Sequence, residues 1–181
     1  MSMIERFKTV LINPTQDEEL DREPLLAFSF YLSSRVIQLL LSAVEIFEDL
    51  DKGFGASSVD GMLIGRASTM MWLWTLGAYE VVRTMCQAKT CFSPKTFTQL
   101  QELKHLLASV RMPDAKMEKS GRRVPVNSNR SPDGWDFEKA DLLLGDPESP
   151  VSARFLLSEF DRVMSNIKKT DVFAHHSTTY K

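Results

Sequence analysis

Apolar residues recur at helical spacing in four segments of the chain. In the first segment, residues 24–50, they alternate in steps of three and four residues, which is the period of an amphipathic helix. Pro24 suits the first turn of such a helix, and Gly53 follows its end. The apolar stripe consists of Leu25, Phe28, Leu32, Val36, Leu39, Ala43, Ile46 and Leu50. The pattern predicts a helix about 40 Å long.

The second segment covers residues 59–90 and is apolar on most of its circumference. One face carries Leu63, Ala67, Met70, Trp74, Gly77 and Val81, and another carries Trp72, Leu76 and Tyr79. A helix that is apolar nearly all round is buried among other elements. We therefore expect this helix to be the one around which its neighbours pack. A partner helix should approach most closely at Gly77 and Ala78, where the side chains are small.

The last two helical segments share a start signal. Ser93–Pro94 and Ser149–Pro150 each place a capping serine before a proline at the first helical position. The apolar positions that follow are Phe97, Leu100, Leu103, Leu107 and Val110 in the third segment and Leu156, Phe160, Val163 and Ile167 in the fourth. We expect the third helix to end at Pro113, because proline interrupts the hydrogen bonding of a helix.

A segment rich in glycine, proline, serine and asparagine, at about residues 119–148, separates these two helices. Its sequences RRVPV and WDFEKADLLL favour short strands around an SPDG turn. A β-hairpin, a binding loop and a disordered segment all stay open, since a structureless loop of about 30 residues is uncommon inside a compact domain. The prediction is an all-α fold in one domain, residues 1–181, with this insert before the last of about four up-and-down helices. The tail, at about residues 170–181, is expected to be mobile.

The composition and the distribution of apolar residues indicate the compartment in which the protein occurs. With 181 residues, 43% of them hydrophobic and 25% charged, the chain resembles an ordinary soluble domain. The uncharged run between Arg66 and Glu80 has 13 residues, whereas a membrane-spanning helix needs about 20. Cys86 and Cys91 are too few for a disulfide framework, and the N-terminal residues show no secretory signal. We expect a cytoplasmic protein without a membrane anchor.

Charge is distributed in blocks along a chain whose formal net charge is -2. Residues 16–51 carry a net charge of -7, residues 104–130 carry +5, and residues 131–161 carry -6. Such a basic segment can neutralise phosphates of nucleic acid, or it can fold against the acidic first helix or remain solvated. The candidates for phosphate contacts are Arg111, Lys116, Lys119, Arg122 and Arg123.

Two further groups of residues are candidates for function on the second helix. Glu80 and Arg83 are three residues apart in an otherwise apolar helix, so they can pair with each other as a buried polar pair that fixes register. Trp72, Leu76 and Tyr79 exceed what a four-helix core needs, and they are candidates for an interface between two copies of the chain.

The sequence offers little for catalysis. His105 points away from the apolar stripe of its helix, and His175 and His176 lie in the polar tail. The chain has no histidine pair at helical metal spacing, no glycine-rich phosphate loop and no nucleophile elbow. We therefore predict no catalytic residue, no metal site and no cofactor, and favour a protein that is not an enzyme.

The two long segments FSFYLSSRVIQLLLSAVEIFEDL and STMMWLWTLGAYEVVRTM, followed by shorter helices, resemble the HEPN-type helical bundles over residues 24–112. Many members of that superfamily are RNases in toxin–antitoxin and phage-defence systems. Their RNase motif has a histidine four to six residues after an arginine, and RTMCQAKT, which begins at Arg83, contains no histidine. No other arginine of the chain meets the spacing. The resemblance thus implies a member that is inactive as such an RNase, and it transfers no catalytic residue.

Two functions follow from these observations. The first is a non-catalytic helical interaction protein that acts as a homodimer, with a further protein partner also possible. The alternative is a nucleic-acid-directed protein, or a degenerate HEPN-like RNase, that uses the basic segment.

Overall fold

The computed structural model describes residues 11–55, 57–116, 118, 125, 131 and 133–176, with the side chains of 114–116 left out. The chain is mainly helical, and a small three-stranded antiparallel sheet lies before the last helix. The helices are α1 (Gln16–Arg22), α2 (Phe30–Gly53), α3 (Gly61–Gln87), α4 (Pro94–Lys116) and α5 (Ala153–Asn166), and the strands are β1 (Gly134–Asp136), β2 (Asp141–Leu144) and β3 (Val151–Ser152). The prediction of a helical bundle is confirmed, but the prediction of an all-α chain is wrong because of this sheet.

The first predicted helix is divided near its start. Pro24–Ala27 forms one 3-10 turn, and α2 begins only at Phe30. Ser29 between them has an extended backbone, and its side chain accepts a hydrogen bond from the Leu32 amide at 3.3 Å. A serine in this position caps a new helix rather than continuing an old one. The apolar stripe passes through the break because Leu25 and Phe28 are buried with α2.

Helix α3 is the central helix, as predicted. Asp60 caps its start by accepting from the amides of Met62 at 2.9 Å and Leu63 at 3.2 Å. Helices α2 and α4 pack along its two sides. The Trp74 indole N–H donates to the Leu39 carbonyl of α2 at 2.8 Å, and Gly77 lies against Leu39, as expected for a close approach at small residues.

The start signal of α4 is confirmed, but its predicted end is wrong. The Ser93 hydroxyl accepts from the Thr96 amide at 3.3 Å, and Pro94 is the first helical residue. The helix runs through Pro113 to Lys116. A proline near the end of a helix removes one hydrogen bond, and the last turns of α4 continue without it.

The predicted start of α5 at Ser149–Pro150 is also wrong. The Ser149 amide donates to the Asp146 carbonyl in a turn at 3.0 Å, and Val151–Ser152 pairs with β2 as strand β3. Ser152 is the residue that caps α5, through a hydrogen bond from the Phe155 amide at 3.0 Å. The same capping chemistry acts three residues later because the sheet takes the intervening residues.

The insert contains a hairpin, formed within WDFEKADLLL. Strands β1 and β2 pair with Trp135 opposite Leu142. The turn of this hairpin lies at residues 137–140, and Asp136 stabilises it by accepting from the amides of Glu138 and Lys139. The predicted SPDG turn includes Pro132, which lies outside the described residues. The RRVPV segment falls outside the described residues except for Pro125, which forms an isolated bridge with Glu118.

The hairpin is held on the helices from both of its strands. Leu142 and Leu144 of β2 are buried in the main core. The Trp135 ring of β1 lies edge-on to the Phe54 ring, at 6.3 Å between centroids, just after α2. These contacts place the start of β1, and Asp133 before it, beside α3.

The last described residues, which the sequence assigns to a mobile tail, contact the body of the fold. The Phe173 amide donates to the Cys91 carbonyl and the His176 amide to the Phe28 carbonyl, both at 2.8 Å. The His176 ring lies edge-on to the Phe28 ring at 5.1 Å between centroids. Residues 177–181 lie outside the described part of the chain.

Among the described residues, α2 is the one helix that is long and apolar enough to cross a membrane by length and composition alone. A third of its most apolar window is buried inside the fold (33%). The core helix of a soluble protein passes the same test, so the finding is weak evidence for a membrane span.

Candidate interaction face and neighbouring clefts

The side of α3 that faces away from the core carries apolar residues. Leu73 is 55% exposed and Trp72 is 47% exposed, although both lie in the middle of the central helix. Leu76 and Tyr79 are half-buried beside them. We call this surface the outer face of α3 and define it by Arg66, Thr69, Trp72, Leu73, Leu76 and Glu80. Two of the three predicted interface residues, Trp72 and Leu76, therefore lie on one accessible surface.

Tyr79, the third predicted interface residue, is partly covered. The guanidinium of Arg111 lies over its ring, 4.5 Å from the centroid. An arginine stacked on an aromatic ring is held by cation–π attraction and shields that side of the ring. Leu73 is more exposed and was missed by the sequence analysis, although its position beside Trp72 on the helix is a signal that could have identified it.

Glu80 and Arg83 form the predicted pair, but neither is buried. The Arg83 Nε donates to Glu80 Oε2 at 2.7 Å, and nearly half of each side chain is exposed. Arg111 approaches the same carboxylate, with its Nη2 3.6 Å from Glu80 Oε1. The structure thus joins two groups of candidates, the pair on α3 and the first member of the basic segment on α4.

The other candidates for phosphate contacts are not placed by the structure. The side chain of Lys116 is outside the described part, and so are Lys119, Arg122 and Arg123. Arg111 already faces Glu80 and Tyr79, although its Nε is buried without a hydrogen-bond partner. A nucleic-acid surface that includes Arg111 would therefore have to compete with these contacts.

A groove of about 420 Å³ runs between α2 and α3 next to the outer face. Arg35 and Gln38 line its α2 side, and the Arg35 Nη1 donates to Gln38 Oε1 at 2.8 Å. The Arg35 guanidinium also lies 5.0 Å from the centroid of the Tyr31 ring. Gly77 and Glu80 line the α3 side. The groove is polar along its rim, and its arginine has partners within the chain.

One charged contact between α2 and α3 was not anticipated. Asp49 of α2 is buried, and its carboxylate accepts two hydrogen bonds from the guanidinium of Arg66. These hydrogen bonds from Arg66 hold the pKa of Asp49 below its usual value, against the effect of burial. The pair joins the two helices near the end of the outer face.

A cleft of about 350 Å³, separate from the groove between α2 and α3, lies between α3 and the start of the hairpin. Its lining residues include Ser68, Met71, Trp72, Thr75, Asp133 and Leu144. Burial raises the pKa of Asp133, and a hydrogen bond with Ser68 opposes that rise. This cleft has no signal in the sequence, because only the folded hairpin brings Asp133 to α3.

The described residues contain no group of three or more His, Cys, Asp or Glu side chains that could hold a metal ion. His105 is exposed on α4, which agrees with its predicted orientation.

A comparison of the chain with protein-family models, curated proteins and solved structures finds no match. The resemblance to the HEPN-type bundles is not tested by this result and stays a prediction.

Proposed function

We propose that the protein is a non-catalytic interaction protein that associates with a second copy of itself through the outer face of α3. The observation that supports this proposal is the exposure of Trp72 and Leu73 in the middle of the central helix. Large apolar side chains that group together on a surface are typical of interaction sites. Aromatic residues are also enriched in the centres of protein interfaces.

The charges beside this apolar centre favour a second copy as the occupant. Arg66 precedes Leu73 by seven residues and Glu80 follows it by seven. Seven residues are nearly two helical turns, or about 10 Å, so both charges lie on the same side of α3 as Leu73. The outer face therefore has an apolar centre between two ion pairs, that of Arg66 with Asp49 and that of Glu80 with Arg83.

Two copies of such a face complement each other when the helices run antiparallel. A two-fold axis at Leu73 would bring Arg66 of each chain towards Glu80 of the other, and the two Leu73 side chains would meet at the axis. This is the isologous contact that most homodimers use. Arg66 is bonded to Asp49 and Glu80 to Arg83 within one chain, and part of each side chain stays exposed beside its own ion pair, 62% for Arg66 and 48% for Glu80.

The small residues along α3 favour a close approach. A side chain added at Gly65 would meet no other atom within 4 Å, so the surface beside it is open. Thr69, the next position towards Leu73, is short, and its hydroxyl is already bonded to the Gly65 carbonyl at 3.0 Å. Helices approach each other most closely where small residues line the contact.

Cysteine cross-linking tests this geometry directly. The variant Leu73→Cys, made with Cys86→Ser so that the half-buried native thiol does not react, should form a disulfide-linked dimer on mild oxidation. Leu41→Cys in the same background is the matched control, because Leu41 on α2 is 53% exposed and lies outside the outer face. It should remain uncrosslinked.

Sedimentation velocity of reduced protein provides the second measurement. Wild type and Leu41→Glu should sediment as dimers. Leu73→Glu should sediment as a monomer with unchanged circular dichroism, because the two introduced carboxylates would face and repel each other at the two-fold axis. A wild-type monomer at every concentration, or equal cross-linking of the two cysteine variants, would rule out this interface.

A further inference from the structure

The cleft between α3 and the hairpin contains two oxygen atoms with no hydrogen-bond partner. Thr75 Oγ1 and Asp133 Oδ2 are both buried and unpaired among the described residues. Thr75 is only 2% exposed, and it is one of the residues that line the cleft. Buried polar groups in folded proteins nearly always have a partner, and two unpaired atoms in one cleft require an explanation.

The other threonines of α3 make a hydrogen bond within the helix that Thr75 lacks. Thr69 donates its hydroxyl hydrogen to the Gly65 carbonyl at 3.0 Å, and Thr84 donates to the Glu80 carbonyl at 2.8 Å. A threonine inside a helix commonly bonds to the carbonyl four residues before it. The Thr75 hydroxyl makes no such bond, and it remains available to a molecule in the cleft.

Asp133 is placed there by the hairpin and by a hydrogen bond with Ser68 of α3. Trp135, two residues later, is anchored on Phe54, and β2 is buried behind it. Among the described residues, Asp133 forms no ion pair. Burial raises the pKa of Asp133, and the hydrogen bond with Ser68 opposes that rise.

The rest of the cleft is apolar. Met71 and Trp72 from α3 and Leu144 from β2 form its walls. A cleft of about 350 Å³ with apolar walls and a few polar groups is typical of a small-molecule site. An indole wall also attracts cations through the negative face of its ring.

We propose that this cleft binds a small amine with an apolar body. The ammonium group donates hydrogen bonds to Asp133 Oδ2 and Thr75 Oγ1, and the apolar body lies against Met71, Trp72 and Leu144. Both unpaired oxygens accept hydrogen bonds, and an ammonium group has three donors and no acceptor. The bound cation also supplies the opposite charge that the carboxylate lacks. All of these residues come from one chain, and Trp72 also belongs to the outer face of α3.

Calorimetric titration with 2-phenylethylamine and with 2-phenylethanol tests the proposal, since the two probes differ mainly in the charged group. The amine should bind to wild type about ten-fold or more tightly than the alcohol, because the charged hydrogen bond is the stronger one. The variant Asp133→Asn should lower amine affinity to about that of the alcohol, and Thr75→Val should lower it several-fold. Glu138→Gln, an exposed carboxylate change on the same hairpin, should leave binding unchanged.

The melting temperature of Thr75→Val distinguishes a role of Thr75 in binding from a role in stability. If the Thr75 hydroxyl is unpaired in the free protein, Thr75→Val should raise Tm while it lowers amine affinity. Equal affinities for amine and alcohol, unchanged amine binding in Asp133→Asn, or no amine binding by about 1 mM would each overturn the proposal. Leu73→Glu, the variant expected to be a monomer, should still bind the amine more tightly than the alcohol, so that failure of the dimer and failure of this site remain distinguishable.

Discussion

At the scale of single residues, Asp49 links acid sensitivity to the packing of two helices. Its carboxylate is buried and hydrogen-bonded to Arg66, which lowers the pKa of Asp49 in the folded state. A carboxyl group with a lowered folded-state pKa binds its proton more weakly than in the unfolded chain. Its contribution to stability is therefore present above the unfolded pKa of about 4 and is lost as the pH falls through the folded pKa.

We predict that this contribution is visible in a comparison of wild type with Asp49→Asn. The free energy of unfolding should differ most between the two proteins at about pH 7, and the difference should shrink below about pH 4. Urea unfolding at both pH values measures it. Other carboxyl groups titrate in the same range, so only the difference between the two proteins is informative. A difference that does not vary with pH would contradict the role given to Arg66.

Two glycines provide a second prediction at this scale, with opposite signs. A side chain at Gly53 would come within 2.7 Å of Ile64 Cγ1, whereas one at Gly65 would meet nothing within 4 Å. Gly53→Ala should lower the free energy of unfolding by about 1–3 kcal/mol through overpacking. Gly65→Ala should raise it by about 0.5–1 kcal/mol, since alanine restricts the unfolded chain and favours helix. Urea unfolding of both variants tests this, and equal effects would contradict it.

Some residue contacts can be predicted from spacing and others cannot. The Glu80–Arg83 pair follows from a separation of three residues on one helix. Its exposure does not follow, because the composition of α3 does not show that its outer face lacks a neighbour. The pairing of Asp49 with Arg66 and the placement of Thr75 and Asp133 in one cleft depend on tertiary packing, which has no local signal in the sequence.

At the scale of elements, α2 and α3 are held together by a polar contact inside an apolar interface. The Trp74 N–H donates to the Leu39 carbonyl at 2.8 Å, and the indole ring lies edge-on to Phe160 at 5.2 Å between centroids. This contact fixes the position of α3 along α2, because it joins one side chain to one backbone atom.

We predict that Trp74→Phe lowers the free energy of unfolding by about 1–2 kcal/mol, through loss of the hydrogen bond and a small loss of packing. Trp135→Phe is the control, since the Trp135 indole is partly exposed and makes no hydrogen bond among the described residues. Trp135→Phe should lower the free energy of unfolding by less than half as much as Trp74→Phe. Denaturant unfolding measures both, and similar costs would show that the hydrogen bond does not matter.

Helix boundaries show how far local signals extend. Ser93–Pro94 starts α4 as predicted, because no other element competes for those residues. The same signal fails at Ser149–Pro150, because Val151 and Ser152 pair with β2 before the helix can begin. The helical period therefore predicts that an element exists, while the neighbouring strand decides where it starts.

At the scale of the whole molecule, the charge blocks are the feature that connects fold and function. Arg111, the one basic candidate whose side chain is described, contacts Glu80 and Tyr79 rather than facing solvent alone. The formal net charge of -2 adds no general attraction to nucleic acid. Both observations favour the interaction protein over the nucleic-acid-directed alternative.

We therefore predict no salt-sensitive binding of RNA or DNA when wild type is titrated at about 50 mM and 200 mM salt. The combined variant Arg122→Ala and Arg123→Ala should behave like wild type. Binding that weakens with salt and is lost in this variant would support the nucleic-acid alternative instead, and would justify an assay of RNA cleavage.

The contact of the final described residues with Cys91 has a kinetic consequence. The Cys91 thiol is fully buried, and the neighbouring backbone is paired with Phe173. A thiol-specific reagent can therefore modify Cys91 only after this segment has detached. The modification rate then reports the free energy of that local opening rather than the reactivity of the sulfur. The chain thus contains a native probe of its own C-terminal docking, with the half-buried Cys86 as an internal reference.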